Sequence, residues 1–387
     1  MRGRLIAISA ALILAGFIQP AHGAQSTFTV MSRNIYIGTD VTVAMKKIPN
    51  LPAAAQFMWD QVAKTDFSKR SLILAKEIND ANADVIGLQE ATTWYCKEGV
   101  FGKKIKVLDF TDQLLKALNN QYVIAQKGNT TAYNPGFSIN PIPFLTKVND
   151  AKTFKPIFDQ NSAACGFETG DALLIKRSLA SKVEAVGNVD YKATYSVVPV
   201  LMKITRGYTW ADININGTKT RFVTTHLEAI WDENTVPNSA LQANQLISDL
   251  RNISYPLVVI GDFNSDPRDP RSANTLNPGE QPPVSPACPE NSEICSAYKL
   301  MLKANFTNAS PDATNPNNFT WGMDALLIGP DPLRGAAAKQ MGNNNGFTDR
   351  LDYIFIKNGL QGKTSKIIGT TVPFGSDHAG VVATISK

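Results

Sequence analysis

Pro256-Leu257-Val258-Val259-Ile260-Gly261-Asp262-Phe263-Asn264 is an apolar run that stops in an acid and, two residues on, an amide. An aliphatic stretch of this length, bounded by Pro and Gly, predicts a strand buried on both faces. At a strand end, side chains of equal parity face the same side. Asp262 and Asn264 can therefore address one ligand together. Gly, Asp and Asn equally favour a plain turn, and this stretch alone does not choose between the two.

The same pattern recurs along the chain. Val85-Ile86-Gly87-Leu88-Gln89-Glu90 is a second apolar strand ending in a carboxylate. Phe222-Val223-Thr224-Thr225-His226-Leu227 ends in a histidine, and Ser376-Asp377-His378 stands just before a final strand. Asp349-Arg350-Leu351-Asp352-Tyr353-Ile354-Phe355 places Asp352 inside an apolar run, where a carboxylate is costly without a partner. Ser32-Arg33-Asn34-Ile35 ends the first strand candidate in an amide. Any one of these has an ordinary structural explanation. Together they give Asn34, Glu90, His226, Asp262, Asn264, Asp352, Asp377 and His378.

The termini and bulk composition set the context. Arg2 and Arg4 precede an apolar run from Leu5 to Ile18, then Pro20 and the small residues around Ala21-His22-Gly23. This predicts a secretory signal over 1–23, too short in its apolar part to span a bilayer. The remaining 24–387 is expected as one exported catalytic domain, secreted or periplasmic, without a transmembrane segment. Loss of the signal removes two arginines and no acid, which takes the formal charge from +5 to +3 and leaves two histidines, His226 and His378. A mild positive charge permits a polyanionic partner without demanding one. Export favours disulfides. Four cysteines allow three pairings. The closeness of Cys288 and Cys295 in a Pro-rich loop favours a local bridge, which leaves Cys96 with Cys165, but sequence does not choose.

Strands are expected at 28–31, 84–88, 122–125, 172–176, 183–189, 197–204, 221–225, 256–260, 351–356, 365–369 and 380–385. Helices are expected at 69–78 (capped by Ser68), 111–118, 238–250 and 295–303. Irregular insertions near 128–166 and 267–349 are longer than ordinary loops and point to functional surface. Strands outnumber helices and both occur throughout, so two sheets packed face to face with helices outside fit the order.

Hard oxygen donors without cysteine favour Mg²⁺ or Mn²⁺, with Ca²⁺ as a third choice. Acids, amides and two histidines around such a cation suit phosphoryl chemistry. The ordered set Asn34, Leu88-Gln89-Glu90, Thr225-His226-Leu227, Gly261-Asp262-Phe263-Asn264, Leu351-Asp352-Tyr353 and Ser376-Asp377-His378 resembles the endonuclease/exonuclease/phosphatase superfamily. The resemblance spans nearly the whole mature chain.

It implies an α+β fold, a four-layer sandwich with two central, mostly antiparallel sheets flanked by helices. It also implies roles. Glu90 would bind the metal with Asn34 and Asp377. Asp262 would orient or activate water, and Asn264 would hold a phosphate oxygen. His378, paired with Asp352, would contact the scissile phosphate, and His226 would assist the phosphate or the leaving group. Tyr36 occupies a position that is acidic in some abasic-site endonucleases, and His226 is usually missing from them, so that subgroup is disfavoured. The expected substrate is nucleic acid, with a phospholipid or phosphoinositide head group as the alternative and no stable protein partner. Tyr133, Phe137, Phe144 and Phe154 could stack bases or touch lipid, and Lys103, Lys104 and Lys106 could meet phosphates. Loop packing and a solvated face are the more ordinary roles for these two groups. A binding module that has lost catalysis is the rival from another class.

Overall fold

A computed structural model describes residues 27–48, 50–97, 102–141, 145–147, 162–198, 202–232, 234–271, 284–343 and 345–387. The signal at 1–23 lies outside the described residues, as do Phe144 and Phe154.

Leu257–Asp262 is a strand with all six residues buried, as its unbroken aliphatic run requires. It pairs in parallel with Thr218–His226 and antiparallel with Asp352–Lys357. The sheet continues through Gly207–Ile215 to Val183–Asp190 on one side and to Thr307–Asn308 on the other. A second sheet has Thr27–Asn34 at its heart, parallel to Val85–Lys97 and antiparallel to Gly380–Ser386. Gln361–Ile368 flanks the latter, and the 15-residue strand Ser162–Lys176 flanks Val85–Lys97. Each sheet has one parallel pair among antiparallel ones.

The two sheets meet over an aliphatic core. Val30, Val85, Leu173, Ile175, Val381 and Ile385 from one face Ile213, Phe222, Val258, Ile260, Ile354 and Ile356 from the other. On the outer face of the first sheet, helices Leu51–Thr65, Phe67–Ala81 and Phe110–Ala117 bury Trp59, Leu74, Ile78 and Leu114. On the outer face of the second, helices Asn238–Leu250 and Ala297–Lys303 bury Ala243, Leu246 and Met301. Helix, sheet, sheet and helix make the four layers. The apolar periodicity of each helix faces inward, as amphipathic patterning demands.

Close approach of the sheets depends on Gly87. A Cβ there would lie 2.6 Å from Thr224 Oγ1 and 2.8 Å from Ile260 Cγ2. Beside it, Gln89 Nε2 donates to Thr224 Oγ1 at 2.9 Å and Gln89 Oε1 accepts from Ser32 Oγ at 3.3 Å. This buried amide ties the two sheets together next to the strand ends.

Several elements depart from expectation. Helix Leu51–Thr65 was not expected, because Pro52 and an Ala-rich run hide its periodicity. Its N-cap is Asn50, whose side chain accepts from Ala53 N–H. Helix Phe67–Ala81 starts ahead of Ser68, which donates to Asp66 instead of capping. The insertion near 128–166 is partly sheet. Tyr133–Ile139 pairs with Ser162–Lys176, whose first half (Ser-Ala-Ala-Cys-Gly) is too small and polar to read as a strand. Within 267–349 the expected helix at 295–303 forms as Ala297–Lys303, and a second helix, Pro332–Gln340, was not expected, obscured by Pro332 and Gly335. The expected strand 197–204 is two short strands, Tyr195–Val198 and Met202–Ile204. Strand Gly207–Ile215 was missed because polar residues interrupt it.

The 267–349 insertion is anchored by ion pairs, one part-exposed and one buried. Arg268 Nε lies 2.6 Å from Asp266 Oδ1, and Arg271 Nη2 lies 2.8 Å from Asp349 Oδ1. Both cysteine pairs are bonded, Cys96 with Cys165 and Cys288 with Cys295. No helix among the described residues is long and apolar enough to cross a membrane.

Candidate active site

Strand register brings the site together. In the second sheet, His226 pairs with Asp262 and Asp262 with Asp352, so three chemical residues lie side by side at adjacent strand ends. In the first sheet, Asn34 is in register with Gln89. The pairing of Val85–Lys97 slips between Leu88 and Ala91, and Glu90 takes φ +57°. An irregularity of this kind re-aims a side chain. Here it lets the Glu90 carboxylate accept a hydrogen bond from Ile37 N–H.

Asp262 is the hub. Its Oδ2 accepts from Asn34 Nδ2 at 3.1 Å and stands 3.5 Å from His226 Nε2 and 3.6 Å from His378 Nε2. Its Oδ1 accepts from the Asn264 backbone N–H at 3.0 Å. Burial, partly offset by His378, pushes the carboxyl up to about 7. Asn34 Oδ1 accepts from Tyr36 N–H at 2.9 Å. The Asn264 side chain donates to Leu227 O at 2.7 Å, which fixes its amide beside the hub.

The two histidines differ in charge. His378 Nδ1 lies 2.9 Å from Asp352 Oδ2. Burial opposes its protonation, but Asp352, Asp262 and Asp377 outweigh it and push His378 up to about 10. It is an imidazolium at neutral pH. His226 goes the other way. Burial, then the charges of Arg206 and His378, hold it well below its ordinary value. Its Nδ1 is 3.1 Å from Arg206 Nη1. A guanidinium only donates, so Nδ1 accepts and the proton sits on Nε2, facing Asp262.

Glu90 and Asp377 are both raised, Glu90 by burial and then by Asp377, Asp377 by burial. Two acids crowding one another in this way form a donor set short of positive charge. With Asn34 Oδ1 they are oxygen donors of the kind a hard cation takes. A second set is possible. One ligand atom each from Asp262, Asp352 and His378 lies within 4.8 Å of the others, and Asp352 Oδ1 is buried without a hydrogen-bond partner. This buried group is consistent with a metal site, in which His378 would bind through a deprotonated ring nitrogen.

Asn34, His226, Asn264 and His378 thus gather around Asp262, Asp352 holds His378, and Glu90 lies near enough to feel the charges of Asp377 and His378. Two were missed. Arg206 fixes the tautomer of His226 and is itself held by Glu228 Oε2 at 3.1 Å. Asp171 accepts from the His226 backbone N–H, and burial raises it well above its ordinary value. A single Arg before Gly207 and an acid in a polar strand carry no sequence signal. Trp321 was also missed. It bridges to His378 and Asp349 through the backbone, and the Arg334 guanidinium lies 3.8 Å from its ring centroid.

The family model described as "Endonuclease/Exonuclease/phosphatase family" matches residues 60–378. No curated protein matches the chain. Among solved structures, an endonuclease/exonuclease/phosphatase family protein from Leptotrichia buccalis C-1013-b is 16% identical, with 92% of this chain and 98% of that one covered at a TM-score of 0.50. An endonuclease/exonuclease/phosphatase from Beutenbergia cavernae DSM 12333 is 15% identical, with 93% and 71% covered at a TM-score of 0.51. These two share the fold. The chain belongs to the endonuclease/exonuclease/phosphatase family, whose members are phosphoester hydrolases and generally depend on a divalent metal.

Proposed function

We propose that this protein is an exported phosphodiesterase that hydrolyses its substrate with a divalent cation. The observation that carries the reading is the position of His378, whose ring lies between the Asp352 and Asp262 carboxylates. Glu90, Asp377 and Asn34 would hold Mg²⁺ or Mn²⁺, with Ca²⁺ as a weaker candidate. The ion supplies Lewis-acid neutralisation of phosphate charge. Asp262 accepts a hydrogen bond from the attacking water and orients it. His378 Nε2–H and Asn264 donate to non-bridging phosphate oxygens, where negative charge grows in the transition state. Asp352 keeps His378 charged and in place. His226, neutral and carrying its proton on Nε2, donates without changing charge. Export is supported by the signal-like first 23 residues and by disulfides that account for all four cysteines.

The sequence favours nucleic acid as substrate, and a head-group phosphodiester is the second reading. One observation moves weight to the second. Two lysines of the basic cluster that could have met phosphates are engaged locally, Lys104 Nζ 4.1 Å from the Tyr95 ring centroid and Lys106 Nζ 2.8 Å from Asp109. The test runs plasmid nicking beside sphingomyelin and phosphoinositide head-group release. Each assay uses Mg²⁺, Mn²⁺ or Ca²⁺, with and without chelator. Head-group release that stops with chelator and with His378→Ala supports the second reading. Nicking with the same dependence restores the first. Ligand binding that His378→Ala leaves intact, with no turnover on any substrate, makes the chain a binding module.

A further inference from the structure

Helix Phe67–Ala81 packs on the outer face of the first sheet, and one of its side chains reaches the turns beyond the strand ends. Arg70 is 3% exposed. Its four hydrogen bonds all go to backbone carbonyls: Nε donates to Thr65 O at 3.0 Å, Nη1 to Ile35 O at 2.7 Å and to Gly375 O at 3.1 Å, and Nη2 to Tyr36 O at 3.2 Å. The guanidinium also lies 4.7 Å from the Phe67 ring centroid and 5.5 Å from that of Phe110. A rigid planar fork with several donors can bridge carbonyls in this way, and a lysine ammonium, a compact point charge, cannot match it.

Those carbonyls belong to the two segments that set the acidic donors. Ile35 and Tyr36 follow Asn34, and Tyr36 N–H holds Asn34 Oδ1. Ile37 N–H, next along, holds the Glu90 carboxylate. Gly375 lies two residues before Asp377. Nη1 alone joins the segment after the first strand to the segment before the last.

The strands have a separate tie. Glu77 stands about two turns on from Arg70 along the same helix face. It accepts from Arg33 Nε at 2.9 Å, and Arg33 Nη1 donates to Asn34 O and His378 O. Loss of Arg70 therefore frees the turns and leaves the strands docked. A buried charge is normally paired with an opposite one, but no carboxylate is among the hydrogen-bond acceptors of Arg70. Burial lowers it to about 10, and Asp377 and Glu90 are among the groups that oppose this. It stays cationic at neutral pH.

We propose that Arg70 is a positioning residue for the cation site. Its guanidinium clamps the 35–37 and 375–377 segments so that Asn34, Glu90 and Asp377 present their oxygens to one divalent ion. Arg70 itself touches neither the ion nor the substrate. This rests on the metal-dependent reading of the cleft.

The experiment uses the full mature chain and Mn²⁺ alone, with the free ion counted by its paramagnetic resonance signal, so no turnover is needed. Arg70→Lys keeps the charge and loses the fork. It should raise the Kd for Mn²⁺ by about 10–100-fold, the range for loss of a group that orients metal ligands. Ile78→Ala truncates a buried side chain of the same helix. It should lower the melting temperature in chelator and leave the Kd alone. If Arg70→Lys does the same, lower melting with an unchanged Kd, its role is structural and the clamp is overturned. If Arg70→Lys does not fold, Phe67→Leu takes a ring from the guanidinium, leaves the fork, and should still raise the Kd severalfold. An unchanged Kd there also overturns the clamp. In turnover assays, excess Mg²⁺ should restore most of the kcat that Arg70→Lys loses, because the clamp acts through the ion. An unchanged Kd in an active enzyme leaves the hydrolase reading standing. Mn²⁺ binding that weakens in Arg70→Lys, in a protein that hydrolyses no ester, overturns the hydrolase reading and keeps the clamp. A wild-type chain that binds no Mn²⁺ overturns both.

Discussion

His378 Nδ1 lies 2.9 Å from Asp352 Oδ2, with both side chains buried. Asp352→Asn keeps the shape and removes the charge that favours the imidazolium. The kcat should fall by about 10²–10³, the range for loss of one donor aimed at developing negative charge, while thermal stability changes little by comparison. Steady-state kinetics beside a melting curve checks this. A variant with near wild-type kcat would remove Asp352 from the mechanism.

The same pair makes stability depend on pH. A histidine raised in the folded state contributes stability that is fully present below its unfolded value near 6.5. That contribution fades as pH rises through about 10. Denaturant titrations in chelator at pH 6, 8 and 10 should therefore show wild-type stability declining more steeply than that of His378→Gln. Parallel slopes would mean that the imidazole is not charged in the native state.

Glu90 and Asp377 are acids raised by burial, Glu90 also by the charge of Asp377. Without a cation, their ionisation at neutral pH opposes folding. A bound cation should reverse this, adding about 2.7 kcal/mol at a hundredfold excess over Kd. Glu90→Gln should melt no lower than wild type in chelator and should lose the stabilisation by Mg²⁺ or Mn²⁺. If Glu90→Gln retains the full metal shift while Asp352→Asn loses it, the ion sits in the Asp262–Asp352–His378 group instead.

Gly87→Ala places a methyl group where Thr224 and Ile260 already sit. Overpacking of this kind costs about 1–3 kcal/mol. It should also depress activity, because Gln89 next door links the sheets that carry Glu90 and Asp262. Urea denaturation and kinetics on the purified variant read both effects.

The two disulfides should differ in worth. Cys96 and Cys165 are 69 residues apart, Cys288 and Cys295 only 7. On the loop-entropy account, removing the first costs about 4 kcal/mol and the second about 2.5 kcal/mol. Paired Cys→Ser variants measured by denaturant unfolding test the order.

The site was legible where chemistry coincides with a strand end. Asp262, His226 and Glu90 each stop an apolar run, and a run that stops in an acid or an imidazole is conspicuous. Asp352 was legible for the opposite reason, a charge inside an apolar run. Arg206 and Asp171 were hidden because neither interrupts a hydrophobic pattern. Their importance arises only from contact with His226, which is remote in sequence from Asp171. The layers were legible from alternating strands and helices, whereas Leu51–Thr65 and the first half of Ser162–Lys176 were not. In both, small residues supply helix or strand packing without a strong apolar period, and tertiary contacts determine the structure.

Strand Thr27–Asn34 is clasped between Val85–Lys97 and Gly380–Ser386. Asn34 thus waits for a neighbour that the ribosome adds some 350 residues later, and the imidazole of His378 arrives with it. The constellation around Asp262 is therefore incomplete until the last strand has docked beside the first.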